Sequence, residues 1–60
     1  MEFANLFIDE NGSFIRKPNS TLIAAANELA SELGGRVIFS CPNYAVVLTE
    51  YNKELTIWAK

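Results

Sequence analysis

Residues 19–35 read NSTLIAAANELASELGG, the one stretch of the chain in which both ends of a helix are marked. Its apolar residues recur at helical spacing and form one stripe: Leu22, Ala26, Leu29 and Leu33, flanked by Ile23, Ala25 and Ala30. Asn19 and Ser20 are candidate N-caps, because a short side-chain oxygen can accept hydrogen bonds from the free amides of the first turn. Gly34 and Gly35 predict the C-terminal end, where one residue usually adopts a left-handed conformation. A helix this short is marginal alone in water, so we expect its apolar stripe to pack on a sheet.

A β-hairpin is predicted before the helix. Residues 3–8 alternate and are rich in aromatic and aliphatic side chains, and residues 13–17 are suited to the return strand. The Asn11-Gly12 pair between them is typical of a two-residue hairpin loop, since both residue types tolerate a positive φ. Such a loop places Ile8 opposite Ile15. Both faces of this hairpin are then partly apolar, and the sequence leaves open which face meets the helix.

Three further strands are predicted after the helix. Their bounds are residues 36–41, 44–50 and 55–60, separated by turns at Pro42-Asn43 and at residues 51–54. Loops centred on these turns place Val47 between Ile38 and Trp58. The same registers gather an apolar face that we expect to seat the helix: Val37, Phe39, Cys41, Tyr44, Val46, Leu48, Leu55, Ile57 and Ala59. The predicted fold is α+β, one domain over residues 1–60 in the order ββαβββ, with a single helix packed on one face of an antiparallel sheet.

The composition describes a small domain with few sources of extra stability. The chain has 60 residues, of which 50% are hydrophobic and 20% charged, and a domain of this size is thermodynamically marginal. With one cysteine and no histidine, neither an internal disulfide nor a histidine-containing zinc site is expected. A lone thiol fits a reducing cytoplasm, and no apolar run approaches the roughly 20 residues that cross a membrane. A protein partner or a second copy of the chain is the expected source of further stability.

Catalysis is not predicted. The chain lacks histidine, the commonest general base, and Cys41 falls on the expected core face without a partner that would activate it. The charge balance also disfavours nucleic acid, because a net charge of -2 and a pI near 4.8 do not suit phosphate contacts. We therefore predict no enzyme activity, no catalytic or metal-binding residue and no cofactor. A small nucleic-acid-binding module that uses Arg16, Lys17 and the hairpin aromatics stays open as a less favoured alternative.

The outer face of the predicted sheet is the first candidate for a protein-interaction surface. The expected registers put Ile38, Val47 and Trp58 in one row, with Arg36 on the same face, and tryptophan often carries a large share of interface energy. Two alternatives stay open: a cross-strand packing cluster covered by the first hairpin, and a homodimer joined through this face. The second candidate is Glu28 with Glu32, one helical turn apart with no basic residue in the helix, which would suit a basic partner. The alternative for these two is an ordinary solvated helix face.

The whole chain resembles the small inhibitor proteins that bacteriophages make against host defences, anti-CRISPR proteins among them. The resemblance lies in its build: a short acidic chain with one Ala-rich helix on an antiparallel sheet and no catalytic residues. It implies a non-enzymatic protein that acts in the host cytoplasm and sterically blocks a surface of a host defence complex with acidic or aromatic side chains. No motif matches, so the resemblance assigns no role to an individual residue.

Overall fold

The computed structural model describes residues 2–59 and has the predicted α+β architecture, with one helix packed on one face of a five-stranded sheet. The elements are β1 (Leu6–Ile8), β2 (Phe14–Arg16), α1 (Leu22–Leu33), β3 (Arg36–Ser40), β4 (Tyr44–Leu48) and β5 (Glu54–Trp58). The strand order is β1-β2-β5-β4-β3, so the β1–β2 hairpin before the helix and the three strands after it belong to one continuous sheet. Neighbouring strands are antiparallel except β2 and β5, whose parallel pairing places Ile15 beside Trp58.

The helix ends where the sequence predicts and begins slightly later. Gly34 ends it with a φ of 70°, in the left-handed region. The N-cap is Thr21, whose hydroxyl accepts a 3.1 Å hydrogen bond from the amide three residues on, so the prediction of Asn19 or Ser20 is wrong. The Ser20 hydroxyl is engaged elsewhere, because it donates to the side chain of Asn5. The predicted stripe is confirmed as the buried face: Ala25, Ala26, Leu29 and Ala30 are buried, and Leu22 and Leu33 pack against the core.

The β1–β2 turn has a three-residue loop rather than the predicted two-residue loop. The Gly12 amide donates to the Asp9 carbonyl at 3.0 Å, and Gly12 has a φ of 83°. A carboxylate oxygen of Asp9 accepts from two further amides of the turn, at 2.9 and 2.8 Å. The extra residue shifts the register by one, so Ile15 lies opposite Phe7 and not, as predicted, opposite Ile8.

The β4–β5 turn has the same construction and a larger effect on the prediction. The Asn52 amide donates to the Thr49 carbonyl at 3.0 Å, Asn52 has a φ of 64°, and the Thr49 hydroxyl accepts from two turn amides at 3.2 Å each. The turn therefore lies earlier in the chain than predicted, and Trp58 lies opposite Tyr44 instead of Val47. Because side chains alternate along a strand, this odd shift exchanges the two faces of β4.

The β3–β4 register is confirmed near the turn and changes beyond it. Phe39 lies opposite Val46 as predicted. A β-bulge at Ile38 then shifts the pairing, so that Val47 lies opposite Val37 and the predicted Ile38–Val47 pair is wrong.

The core lies between α1 and the face of the sheet that α1 covers. Its buried residues are Phe3, Leu6, Ala25, Ala26, Leu29, Ala30, Ala45, Val47 and Ile57. Val37, Leu55 and Ile57 belong to this side as predicted. Four other residues expected there lie on the opposite face, because of the bulge in β3 and the exchanged face of β4: Phe39, Tyr44, Val46 and Leu48. Within residues 2–59 no helix has the length and apolarity to cross a membrane.

Candidate functional site

The sheet face opposite the helix, here called the outer face, carries a row of large apolar side chains. These side chains cross all five strands and are called the aromatic band: Phe7, Ile15, Trp58 and Tyr44 lie side by side in the strand pairing, and Phe39, which lies opposite Val46, contacts Tyr44 diagonally. The ring centroids of Trp58 and Tyr44 are 5.4 Å apart, and those of Tyr44 and Phe39 are 5.7 Å apart. Ile15 lies between Phe7 and Trp58 in the strand pairing, so the band is continuous from edge to edge.

The aromatic band is open to solvent. Exposure is 50% for Phe39, 43% for Trp58 and 41% for Phe7, and α1 packs on the other side of the sheet. Four strand spacings of about 4.8 Å make the band about 19 Å long. Contiguous apolar surface of this kind is uncommon on monomeric proteins and usually marks a contact site.

Polar and charged residues flank the band on the outer face. Val46 and Thr56 lie beside Phe39 in the next row, and Leu48 follows between Arg36 on β3 and Glu54 on β5. Both of these charged side chains are exposed. The outer face thus has an apolar centre and a charged margin, the arrangement typical of protein interfaces.

The four residues predicted for the outer face do not form the expected row. Trp58 lies at the centre of the aromatic band, and Arg36 is exposed at the margin of the same face. Ile38 is 41% exposed at the bulge. Val47 is fully buried in the core, so the prediction that it lies on the outer face is wrong. The β4–β5 turn and the bulge in β3 are the physical reason, because they set registers that differ from the predicted ones.

Glu28 is not a free carboxylate on the helix surface. Its two carboxylate oxygens accept hydrogen bonds from the backbone amides of Ala4 (2.7 Å) and Asn5 (2.8 Å). The Ala4 amide, supported by Asn5 and by the charge of Lys17, holds the pKa of Glu28 below its ordinary value of 4.5, against the opposing effect of desolvation. Glu28 therefore fastens the N-terminal segment to the helix. The hypothesis that Glu28 meets a basic partner together with Glu32 stays a prediction, and both Glu28 oxygens already accept hydrogen bonds within the chain.

Glu32 is exposed as predicted and belongs to an acidic end of the molecule. The β1–β2 turn, the β4–β5 turn and the C-terminus of α1 lie at this end, because β2, β3 and β5 all start there. Its exposed carboxylates are Glu10, Glu32, Glu50 and Glu54, and its exposed basic residues are Arg36 and Lys53. The acidic end adjoins the outer face through Glu54.

The basic residues suggested for nucleic-acid binding make intramolecular contacts. The Arg16 guanidinium donates to the carbonyls of Ser20 (2.8 Å) and Lys17 (3.4 Å), and the Lys17 ammonium donates to the carbonyl of Phe3 (2.8 Å). Of the hairpin aromatics, Phe3 is buried and Phe14 packs against the core, which leaves Phe7 on the outer face. These contacts reduce the cationic surface that phosphate groups would need.

Sequence reasoning missed most of the aromatic band. Phe39 and Tyr44 are expected in the core, and Ile15 is not placed beside Trp58. The missed signal lies in the turns: a residue with a side-chain oxygen stands three positions before a Gly or Asn in both 9–13 and 49–53. Cys41, also expected in the core, is half-buried at the end of β3.

Neither the comparisons nor the acidic side chains point to a specific chemistry. The sequence matches no protein-family model, and no curated protein or solved structure matches it either. Across the described part of the chain, no group of three or more His, Cys, Asp or Glu side chains is arranged to hold a metal ion. The outer face is therefore the feature on which a functional proposal rests.

Proposed function

We propose that this protein is a non-enzymatic protein-binding module that contacts its partner through the outer face. The supporting observation is the aromatic band, where three aromatic side chains that are each at least 41% exposed form one continuous surface with Tyr44 and Ile15. An uncovered aromatic surface lowers its free energy by contact with another apolar surface, and aromatic residues are enriched at the centres of interfaces.

The shape of the surface favours a macromolecule over a small ligand. The band runs along a sheet face between exposed side chains, whereas small-molecule sites are concave and enclose most of the ligand. We therefore propose that the band binds the surface of another protein. In its finer form the proposal is steric inhibition, in which the small domain covers a functional surface of a larger host defence complex, as the build of the chain implies.

Affinity capture with matched baits tests the proposal. The native chain, Trp58→Ser and Tyr51→Ser are compared as baits in bacterial lysate, and each must stay folded by far-ultraviolet circular dichroism. Tyr51 is the matched control, because it is 83% exposed in the β4–β5 turn and lies outside the band. We expect a stoichiometric partner on the native and Tyr51→Ser baits and its loss from Trp58→Ser. A partner retained equally by all three baits would place the interface elsewhere and contradict the proposal.

A homodimer through the outer face is the second candidate function. The observation that favours it is the same exposed band on a chain of 60 residues, a size at which many domains need additional buried surface. Light scattering over a range of concentrations distinguishes the two, because the homodimer requires a mass that doubles with concentration and returns to that of the monomer in Trp58→Ser.

A further inference from the structure

The β1–β2 turn holds the one asparagine of the chain that is followed by glycine. Asn11 and Gly12 are both exposed, and a Cβ added to Gly12 would meet no atom within 4 Å, so the peptide bond between them is open to solvent. Because Gly12 has no side chain, its amide nitrogen can approach the side-chain carbonyl of Asn11 without steric hindrance. This pair therefore meets the chemical requirement for deamidation.

Deamidation of this pair needs no reactant other than water. The Gly12 amide nitrogen attacks Cγ of Asn11, a bond forms between these two atoms, and the bond from Cγ to Nδ2 breaks. Nδ2 leaves as ammonia with the proton that the Gly12 nitrogen gives up, and a five-membered cyclic imide remains. Water then opens the imide at Cγ to give aspartate, or at the main-chain carbonyl carbon to give isoaspartate, in which the chain runs through the side-chain carbonyl.

Hydrogen bonds of the turn hold the reacting atoms in place. The Gly12 amide, which must attack, donates to the Asp9 carbonyl at 3.0 Å. The Asp9 carboxylate accepts from the amides of Asn11 at 2.9 Å and of Ser13 at 2.8 Å, which fixes the main chain on both sides of Gly12. Because ring closure moves the Gly12 nitrogen toward Cγ of Asn11 and removes its proton, the turn must open before the reaction can occur.

We propose that Asn11 is a site of spontaneous deamidation and that Asp9 sets its rate by holding the turn closed. This inference is independent of the proposed function. The isoaspartyl product adds one atom to the main chain inside the loop that fixes the pairing of Phe7 with Ile15. Its formation would therefore disturb the β1 end of the aromatic band.

Incubation of the folded native chain at neutral pH, followed by peptide mass mapping, tests the site. Asn52 is the internal control, because it is exposed in a turn of the same construction and is followed by Lys53 instead of glycine. We expect Asn11 to exchange its side-chain NH2 for OH several-fold faster than Asn52, with aspartate and isoaspartate forms separated by chromatography. Conversion of Asn11 at the same rate as Asn52, or more slowly, would overturn the assignment.

Two substitutions of Asp9 test its control of the rate. Asp9→Ala removes the side-chain acceptor, so Asn11 should react several-fold faster. Asp9→Thr is the matched control and should react at nearly the native rate, because Thr49 accepts the equivalent hydrogen bonds in the β4–β5 turn. If circular dichroism shows that Asp9→Ala is unfolded, the native chain in denaturant replaces it, and the same acceleration is expected. An unchanged rate, or an equal rise in Asp9→Thr, would overturn the role of Asp9.

Discussion

Trp58 is the residue whose substitution should separate binding from folding. Because Trp58 is 43% exposed and makes a tilted contact with one neighbouring ring, Trp58→Ser should lower the free energy of unfolding by only about 1–2 kcal/mol. As a central aromatic anchor it should contribute at least about 2 kcal/mol to binding, equivalent to roughly 30-fold in Kd. Thermal melts and titration of the captured partner measure the two effects. Loss of the fold in Trp58→Ser, with Tyr51→Ser intact, would make Trp58 a core residue.

Glu28 should stabilise the fold in a pH-dependent manner. Glu28→Gln replaces the carboxylate that accepts hydrogen bonds from the amides of Ala4 and Asn5 by a neutral amide. The substitution should therefore lower the free energy of unfolding at neutral pH. Because the pKa of Glu28 is lower when folded, the stabilisation is present above the ordinary pKa of 4.5 and is lost as the pH falls through the folded value. The difference in denaturant midpoint between variant and native chain should therefore be smaller at pH 3 than at pH 7.

The matched control for this prediction is Glu32→Gln, one helical turn away and exposed. Its midpoint should follow that of the native chain at both pH values. An equal loss of stability in the two variants would mean that helix charge, and not the contact with the N-terminal segment, is responsible.

At the scale of single residues, the sequence identified Trp58 because β5 alternates simply, and it misplaced Val47 because that residue depends on two neighbours. The contact of Glu28 with Ala4 spans 24 residues and had no local signal. Local patterns predict which residue types lie on a strand or helix. They do not predict contacts that depend on how distant segments pack.

The start of β3 provides a test at the level of elements. A Cβ on Gly35 would overlap the backbone carbonyl of Leu48, whereas a Cβ on Gly34 would meet only the flexible carboxylate of Glu50, 3.0 Å away. Gly34→Ala should cost about 1–2 kcal/mol for its positive φ. Gly35→Ala should cost about 3 kcal/mol, because backbone cannot move aside as a side chain can. Denaturant unfolding measures both, and a larger loss in Gly34→Ala would contradict the close approach of β3 to β4.

The faces of β4 are tested by two isosteric substitutions. Val47→Thr places a hydroxyl in the core beneath α1 and should cost about 1–3 kcal/mol. Val46→Thr makes the same change on the outer face and should be nearly neutral, since threonine suits an exposed strand. Chemical denaturation of both variants checks the prediction. The reverse order would restore the register expected from the sequence and move Tyr44 into the core.

The elements themselves were predictable because strong local signals mark them, such as Gly34 at the end of α1 and Pro42-Asn43 between β3 and β4. Their registers were less predictable, since side-chain oxygens of Asp9 and Thr49 stabilise three-residue loops that look like other turns in sequence. A register shift by an odd number of residues exchanges the faces of a strand, and shifts of this kind moved the candidate site.

At the scale of the whole molecule, one helix covers one face of the sheet and leaves the other open. The parallel pairing of β2 with β5 joins the β1–β2 hairpin to the three later strands. Because of this pairing, the aromatic band extends across the full width of the sheet. The number of strands and the single helix follow from the sequence. Since one helix can cover only one face of the sheet, the uncovered face follows as well. The strand order does not, because it depends on contacts between segments far apart in the chain.

The most direct test of the central claim is acrylamide quenching of Trp58 fluorescence in the free protein, from low micromolar to near millimolar concentration. An open outer face predicts efficient quenching that does not change with concentration and decreases when the captured partner is added. Weak quenching at every concentration would mean that the face is covered and that Trp58 belongs to a core. Quenching that declines as concentration rises would show a homodimer occupying the face, and would contradict the assignment of the aromatic band to a different protein.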